Sequence, residues 1–175
     1  MAPDQQPDTK RLGNHMIIAA WIGVLGLLTW FFSGYLDQQY NPNQSLQSSS
    51  GTADNEVVLD RNRYGHYVAP GRINDVPVTF LLDTGATVVS IPGDLADRLA
   101  LQRGGAIQVM TANGVVQAYA TVLDQVQLGT IVLENVRATI NPQMYGDEVL
   151  LGMSFLKQLD FSQQGEQITI RQQGR

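Results

Sequence analysis

The sequence predicts a small all-β domain, a closed or nearly closed barrel with one or two short helices, carried behind a single membrane-spanning helix. Three observations predict it. The run MIIAAWIGVLGLLTWFF, from Met16 to Phe32, is uncharged and apolar and has about the length that crosses a bilayer. A polar stretch nearly devoid of aliphatic residues follows it. Beyond that stretch, short apolar or alternating runs recur between turn signals with little helical periodicity, which is the pattern of small barrels.

Taken in order, residues 1–15 form a short N-terminal segment and residues 16–34 the transmembrane anchor. Trp21, Trp30 and Tyr35 suit the membrane interface, Lys10-Arg11 lie just before the run and Asp37 follows it. The positive-inside rule then puts the N-terminus in the cytoplasm and the remainder across the inner (cell) membrane, in the periplasm or its extracytoplasmic equivalent. A cleaved signal peptide is the alternative; the long apolar run and the lack of an A-x-A-like site favour an anchor. Residues 35–55 include DQQYNPNQSLQSSSGTADN, which lacks the apolar surface needed to fold and reads as a flexible tether. The folded domain is expected over 56–175.

Within that domain, strands are expected at Val57–Leu59, Gly65–Ile73 and Val76–Leu82, with Asn74-Asp75 as a turn, and an apolar run resumes over Val88–Ile91. Ile107–Thr111 and Val115–Leu128 flank Asn113-Gly114, a strong hairpin dipeptide. Ile131–Ile140, the short Val149–Leu151 and Gln167–Arg171 complete the strands. Pro92 can open one helix, with Leu95, Ala96 and Leu99 on one face and Asp94 in its first turn. A second helix is expected from Met153 to Leu159, entered through Gly152.

Composition narrows the chemistry. The 175 residues carry a formal charge of −5 with no basic cluster beyond Lys10-Arg11, which argues against a nucleic-acid partner. There is no cysteine, so thiol nucleophiles, disulfides and cysteine zinc sites are excluded. His15 and His66 are too few for a histidine-rich metal site. Gly152-Met153-Ser154-Phe155-Leu156 fails the serine-hydrolase elbow G-x-S-x-G at its fifth position. Carboxylates, hydroxyls and backbone groups remain.

Against that background FLLDTGAT, residues 80–87, stands out. A carboxylate ending an apolar strand is costly to bury without hydrogen bonds. Gly85 lets backbone N–H groups approach Asp83 without an intervening side chain. Thr84 supplies a hydroxyl that can bond to a partner backbone, and the apolar strand holds the carboxylate on a rigid element. One carboxylate is a weak tool for peptide hydrolysis, whereas two sharing a proton can activate water and protonate the carbonyl.

LLDTGAT at 81–87, followed by VLLGMSFL at 149–156, resembles the retropepsin-type aspartic proteases, particularly their membrane-anchored single-domain bacterial group. The likeness extends over about Val57 to Ile170. It implies a retropepsin-like barrel acting as an aspartic endopeptidase on protein or peptide substrates, with no metal and no organic cofactor. Asp83 takes the catalytic position, supported by Thr84, Gly85 and Ala86, where many pepsin-like enzymes carry Ser instead of Ala. Thr111, Ala112, Asn113 and Gly114 fall at the tip of the expected flap. Leu150, Leu151 and Gly152 match the apolar-Gly segment that crosses beneath the active-site loop. The helix after the Asp-Thr-Gly motif is not shared by the minimal viral enzymes. Because the motif occurs once, the resemblance implies a homodimer in which two Asp83 carboxylates share a water. The Val57 strand and Gln167–Arg171 are candidates for an intersubunit sheet, and ordinary edge strands are the alternative reading of both.

Other residues have plainer expectations. His66 reads as a half-buried strand histidine, and Asp94, Asp97 and Arg98 as the solvated face of the first helix. Asp147-Glu148 reads as a loop charge cluster before a contact to metal or substrate, and Tyr119 and Tyr145 as packing residues before subsite walls. Two alternatives to a general endopeptidase stay open. One is a catalytically silent, membrane-tethered barrel that binds extended peptides or partner proteins. The other is a protease that cleaves its own tether.

Overall fold

The structure, a computed structural model, describes residues 9–50, 54–111 and 114–173. It divides into two units between Gln39 and Tyr40. The first holds the helix α1 (Thr9–Tyr40) up to Gln39. Its Gly13–Tyr40 stretch is long and apolar enough to cross a membrane. Ile17, Trp21, Leu28 and Phe31 are all exposed on it, and a helix apolar on every side needs a lipid or protein surround.

The second unit is built almost wholly of strands. β1 (Gln47–Ser50) and β2 (Asp54–Asp60) are followed by β3 (Val68–Ile73), β4 (Val76–Leu82) and β5 (Val89–Pro92). After α2 (Gly93–Arg98) come β6 (Ala106–Thr111), β7 (Gly114–Leu128), β8 (Ile131–Asn141) and β9 (Glu148–Leu151). The short α3 (Met153–Leu156) precedes β10 (Asp160–Gln164) and β11 (Gln167–Gln173).

One sheet runs β3-β4-β9-β5-β8-β7-β6, and an additional β3–β7 pairing closes it. Arg72 then lies opposite Gln127 and Ile73 opposite Val126. The ring is therefore a closed six-stranded barrel with β6 attached outside it through β7. The closed barrel expected from the sequence is the one observed. Closure removes the open edges a small sheet would otherwise expose. The interior is filled by fully buried Phe80, Ile91, Leu123, Val126, Ile140, Leu151 and Phe155, each contributing about 1.5–3 kcal/mol by leaving water. Asn74 and Asp75 take positive φ angles of 47° and 64°, making the tight turn between β3 and β4.

The segment expected to be a free tether is structured where it is described. α1 continues to Tyr40, whose carbonyl accepts a hydrogen bond from Asn62 Nδ2 at 2.9 Å. Asn43 is buried; its Nδ2 donates to the carbonyls of Asp60 (2.9 Å) and Val68 (2.7 Å), and its Oδ1 accepts the Asp60 N–H at 2.7 Å. β1 then pairs antiparallel with β2, Gln47 opposite Val58 and Ser50 opposite Asn55. The folded unit thus begins at Tyr40 rather than Glu56. Poverty in aliphatic residues misled the reading, because an edge strand needs only backbone pairing and a buried amide can itself supply the missing donors and acceptor. Asn43→Ala leaves three backbone groups short of their partner and is expected to cost roughly 2–4 kcal/mol of stability. Denaturant unfolding checks this, and a change below about 0.5 kcal/mol would exclude 40–46 from the cooperative unit.

Other boundaries also differ. The strand expected from Gly65 starts at Val68, because Asn62 Oδ1 accepts the N–H groups of Tyr64 and His66 and turns the chain there; His66 therefore lies before the strand. The second helix ends at Leu156, short of Leu159. β10 was not expected: all five of its residues are exposed, so it has no apolar face to betray it.

β2 and β11 pair with each other from Asp54–Gln173 to Asp60–Gln167, and β1 and β10 occupy their outer edges in the order β1-β2-β11-β10. Both strands named as candidates for an intersubunit sheet are therefore interior to a sheet of one chain. That corrects the expectation: the extra strands β1 and β10 fill the edges a partner would have used.

Candidate active site

Asp83 is the first residue past β4. Its neighbour Leu82 runs parallel to Leu151 of β9, and the Leu82 N–H is bonded to the Tyr67 carbonyl at 3.0 Å. The Asp83 side is half-buried, while Thr84 and Gly85 are exposed. Gly85 N–H donates to Asp83 Oδ1 at 2.8 Å, and Ala86 N–H donates to the Asp83 carbonyl at 3.2 Å. A Cβ on residue 85 would stand 3.1 Å from Asp83 Oδ1, so glycine there is what admits the N–H to the carboxylate.

The loop is locked from below by the apolar-Gly segment. Asp83 N–H donates to the Leu151 carbonyl at 3.3 Å, and Met153 N–H to the Ala86 carbonyl at 2.8 Å. Gly152 lies between these bonds, and a Cβ on it would come within 2.4 Å of the Val88 carbonyl oxygen and 2.7 Å of that of Ala86. Leu151 is fully buried and Leu150 partly so. Asp83, Gly85, Ala86, Leu151 and Gly152 are thus brought together as one backbone-crossed unit.

Sequence reasoning missed Ser154 as part of it. Its hydroxyl, nearly inaccessible to water, accepts the Val89 N–H at 2.9 Å and donates to the Arg137 carbonyl at 2.7 Å. It therefore ties α3 to the exit of the Asp-Thr-Gly loop and to β8. The available signal was a lone hydroxyl inside the otherwise apolar helix MSFL, since a buried hydroxyl needs partners.

The expected flap is a hairpin of β6 and β7. Its register runs from Ala106–Tyr119 to Thr111–Gly114, and Thr111 Oγ1 donates to the Gly114 carbonyl at 2.8 Å. Ala112 and Asn113, named as its tip, lie outside the described residues. Strand β6 and the loop residues Thr87 and Val88 line a common open groove of about 1090 Å³. Asp83 does not itself line that groove; it lies four residues back along the loop from Thr87.

Charged and aromatic residues around the loop are mostly engaged. Asp97 of α2 pairs with Arg103 at 2.8 Å, and Asp147 pairs with Arg98. Glu148 accepts the Tyr40 hydroxyl. Tyr145 is 89 % exposed and so lies outside the core, while Tyr119 lies under the Arg103 guanidinium. Burial pushes the Tyr67 phenol up, with the Arg61 guanidinium opposing and the Glu166 carboxylate adding to the shift, so this tyrosine stays neutral across the range in which carboxylates titrate.

A closed six-stranded barrel whose single Asp-Thr-Gly loop is crossed by an apolar-Gly segment is the arrangement of the retropepsin-like aspartic proteases. The chain belongs to that class: residues 69–158 match the family described as gag-polyprotein putative aspartyl protease. Among curated proteins it is 30% identical over 125 residues to an uncharacterized protein from the cobV 5' region of Sinorhizobium sp, covering 70% of this chain and 54% of that one. It is 29% identical over 105 residues to an uncharacterized protein of Rickettsia prowazekii (strain Madrid E), covering 58% of this chain and 45% of the relative. The chain thus spans about half the length of the curated relatives it matches. The crystal structure of a retropepsin-like aspartic protease from Rickettsia conorii shares the fold, with a TM-score of 0.58 at 24% identity over 73% of this chain and 95% of that one.

Proposed function

We propose that the protein is a membrane-anchored aspartic endopeptidase that works as a homodimer, one Asp83 from each copy holding the attacking water. The observation that carries this reading is the Asp83 carboxylate itself. It ends a rigid strand, is oriented by the Gly85 N–H at 2.8 Å, and occurs in the chain's single Asp-Thr-Gly motif. Two such carboxylates facing one another cannot both ionise readily, so the pair shares a proton. The ionised member takes a proton from water as its oxygen attacks the scissile carbonyl carbon, while the protonated member gives its proton to the carbonyl oxygen. The carboxyl that took the proton from water passes it to the amide nitrogen, a gem-diol hydroxyl returns a proton to the other carboxylate, and the C–N bond breaks, releasing amine and acid and restoring the shared proton. Water is the only co-reactant.

The anchor, read as residues 16–34 with the N-terminus cytoplasmic, confines both copies to one bilayer and raises their effective concentration. Since β2 and β11 already have neighbours on both edges, the dimer contact engages other elements. The test is incubation of the full chain in detergent with an unfolded protein substrate from acid to neutral pH, with fragments identified by mass spectrometry. Internal cleavage with a bell-shaped pH dependence is expected. A rate that changes monotonically over that range would rule out the shared proton.

A further inference from the structure

The groove beside the Asp-Thr-Gly loop contains a cation with no counter-ion among the described residues. Arg137 is exposed in β8 between buried Val136 and Ala138, directly across the ladder from Val122 of β7. Val122, Asp124 and Arg137 all line the groove. Asp124 is the diagonal neighbour of Arg137, roughly 7–8 Å away by sheet geometry, and no ion pair joins the two among the described residues. The other described arginines of the folded unit are engaged: Arg61, Arg98, Arg103 and Arg171 meet carboxylates, Arg72 a backbone carbonyl and Arg63 an aromatic ring.

Resting on the protease reading, with a substrate that runs from Asp83 past Thr87 and Val88 into this groove, we propose that Arg137 is a specificity-determining residue that selects an acidic side chain, Asp or Glu, at one substrate position away from the scissile bond. A guanidinium fork pairs with a carboxylate in two parallel hydrogen bonds. A peptide lying in the groove displaces water from around that pair and strengthens it. The second cation of the groove, Arg103, is already held by Asp97 at 2.8 Å and sits over the Tyr119 ring, which leaves Arg137 as the available one. The chain as a whole carries a charge of −5, so the long-range field disfavours acidic peptides. The preference is therefore confined to the one position that reaches Arg137, and Asp124 limits its strength.

The test reads binding, so that it stands apart from turnover. The full chain carrying Asp83→Asn, in detergent, is titrated by fluorescence anisotropy with C-terminally amidated peptides in which a single Glu is moved through a Gln background. Glu at one position is expected to bind roughly three- to tenfold tighter than Gln, an effect that shrinks with added salt. Arg137→Gln abolishes the difference, Arg137→Glu turns it toward Lys at the same position, and Asp124→Asn enlarges it. Equal affinity for Glu and Gln at every position overturns the inference. So does a preference that survives Arg137→Gln, or one seen only in peptides with a free C-terminal carboxylate. Failure of the unsubstituted chain to cleave would overturn the protease reading alone, while these affinity ratios would still decide the role of Arg137.

Discussion

Replacing Asp83 by Asn is expected to abolish peptide cleavage and leave the fold intact. The two side chains are nearly the same size, and the amide oxygen of Asn can accept the Gly85 N–H that Asp83 Oδ1 now accepts at 2.8 Å. The neighbouring bonds, from Asp83 N–H to Leu151 and from Ala86 N–H to the residue 83 carbonyl, are backbone bonds that the substitution does not touch. What disappears is the ionisable proton. Loss of a general acid–base group typically costs 10²–10⁴-fold, and here acid and base vanish together, so a loss of at least roughly 10⁴-fold is expected. The dimer should still hold, because two amides can hydrogen-bond to one another as the proton-sharing carboxyl pair does. Mixing then tests the pairing itself: if each active dimer needs two aspartates, equal amounts of the two chains, freely reassorted, retain about one quarter of the activity of an all-Asp83 sample. Thermal unfolding, sedimentation and cleavage rate read the three outcomes. Turnover by the pure Asn variant would eliminate the aspartic mechanism, and about one half of the activity in the mixture would eliminate the shared site.

The barrel was legible because its strands announce themselves by apolar alternation and its turns by dipeptides. β4 was found at its observed bounds, and Asn74-Asp75 adopts the positive φ angles its residue types favour. What escaped was structure held by backbone and amide groups alone. β1 and β10 are polar edge strands, and the Asn43 clasp turns on three hydrogen bonds among residues some 17 to 25 apart in sequence. No local pattern encodes such a contact. The same holds at the site. Asp83 and Gly152 could be singled out because each breaks an apolar run, but the bond from Ser154 to Val89 spans 65 positions. Arg137 was invisible for a related reason: one arginine in a strand means nothing until the other cations are seen to have partners.

Gly152→Ala should damage the site without touching Asp83, by moving it. The glycine is not there for its dihedral freedom, since its φ of −88° and ψ of −172° suit any residue. It is there for space. A methyl group would fall 2.4 Å from the Val88 oxygen, 2.7 Å from the Ala86 oxygen and 2.8 Å from the Val88 carbonyl carbon. All three are backbone atoms, with no flexible side chain to swing aside. The strand and the loop must separate by about 1 Å to restore normal contact distances. The bonds that bracket Gly152, Asp83 N–H to Leu151 at 3.3 Å and Met153 N–H to Ala86 at 2.8 Å, would then stretch or break. Overpacking and two weakened hydrogen bonds together are expected to cost about 2–4 kcal/mol. Because the displaced element carries the carboxylate, activity should fall by roughly 10²-fold even at temperatures where the variant stays folded. Gly105→Ala is the matched control, as a Cβ there meets nothing within 4 Å. Melting temperature and cleavage rate measured side by side decide the matter. If the two alanine variants behaved alike, the crossing beneath the Asp-Thr-Gly loop would not be what positions Asp83.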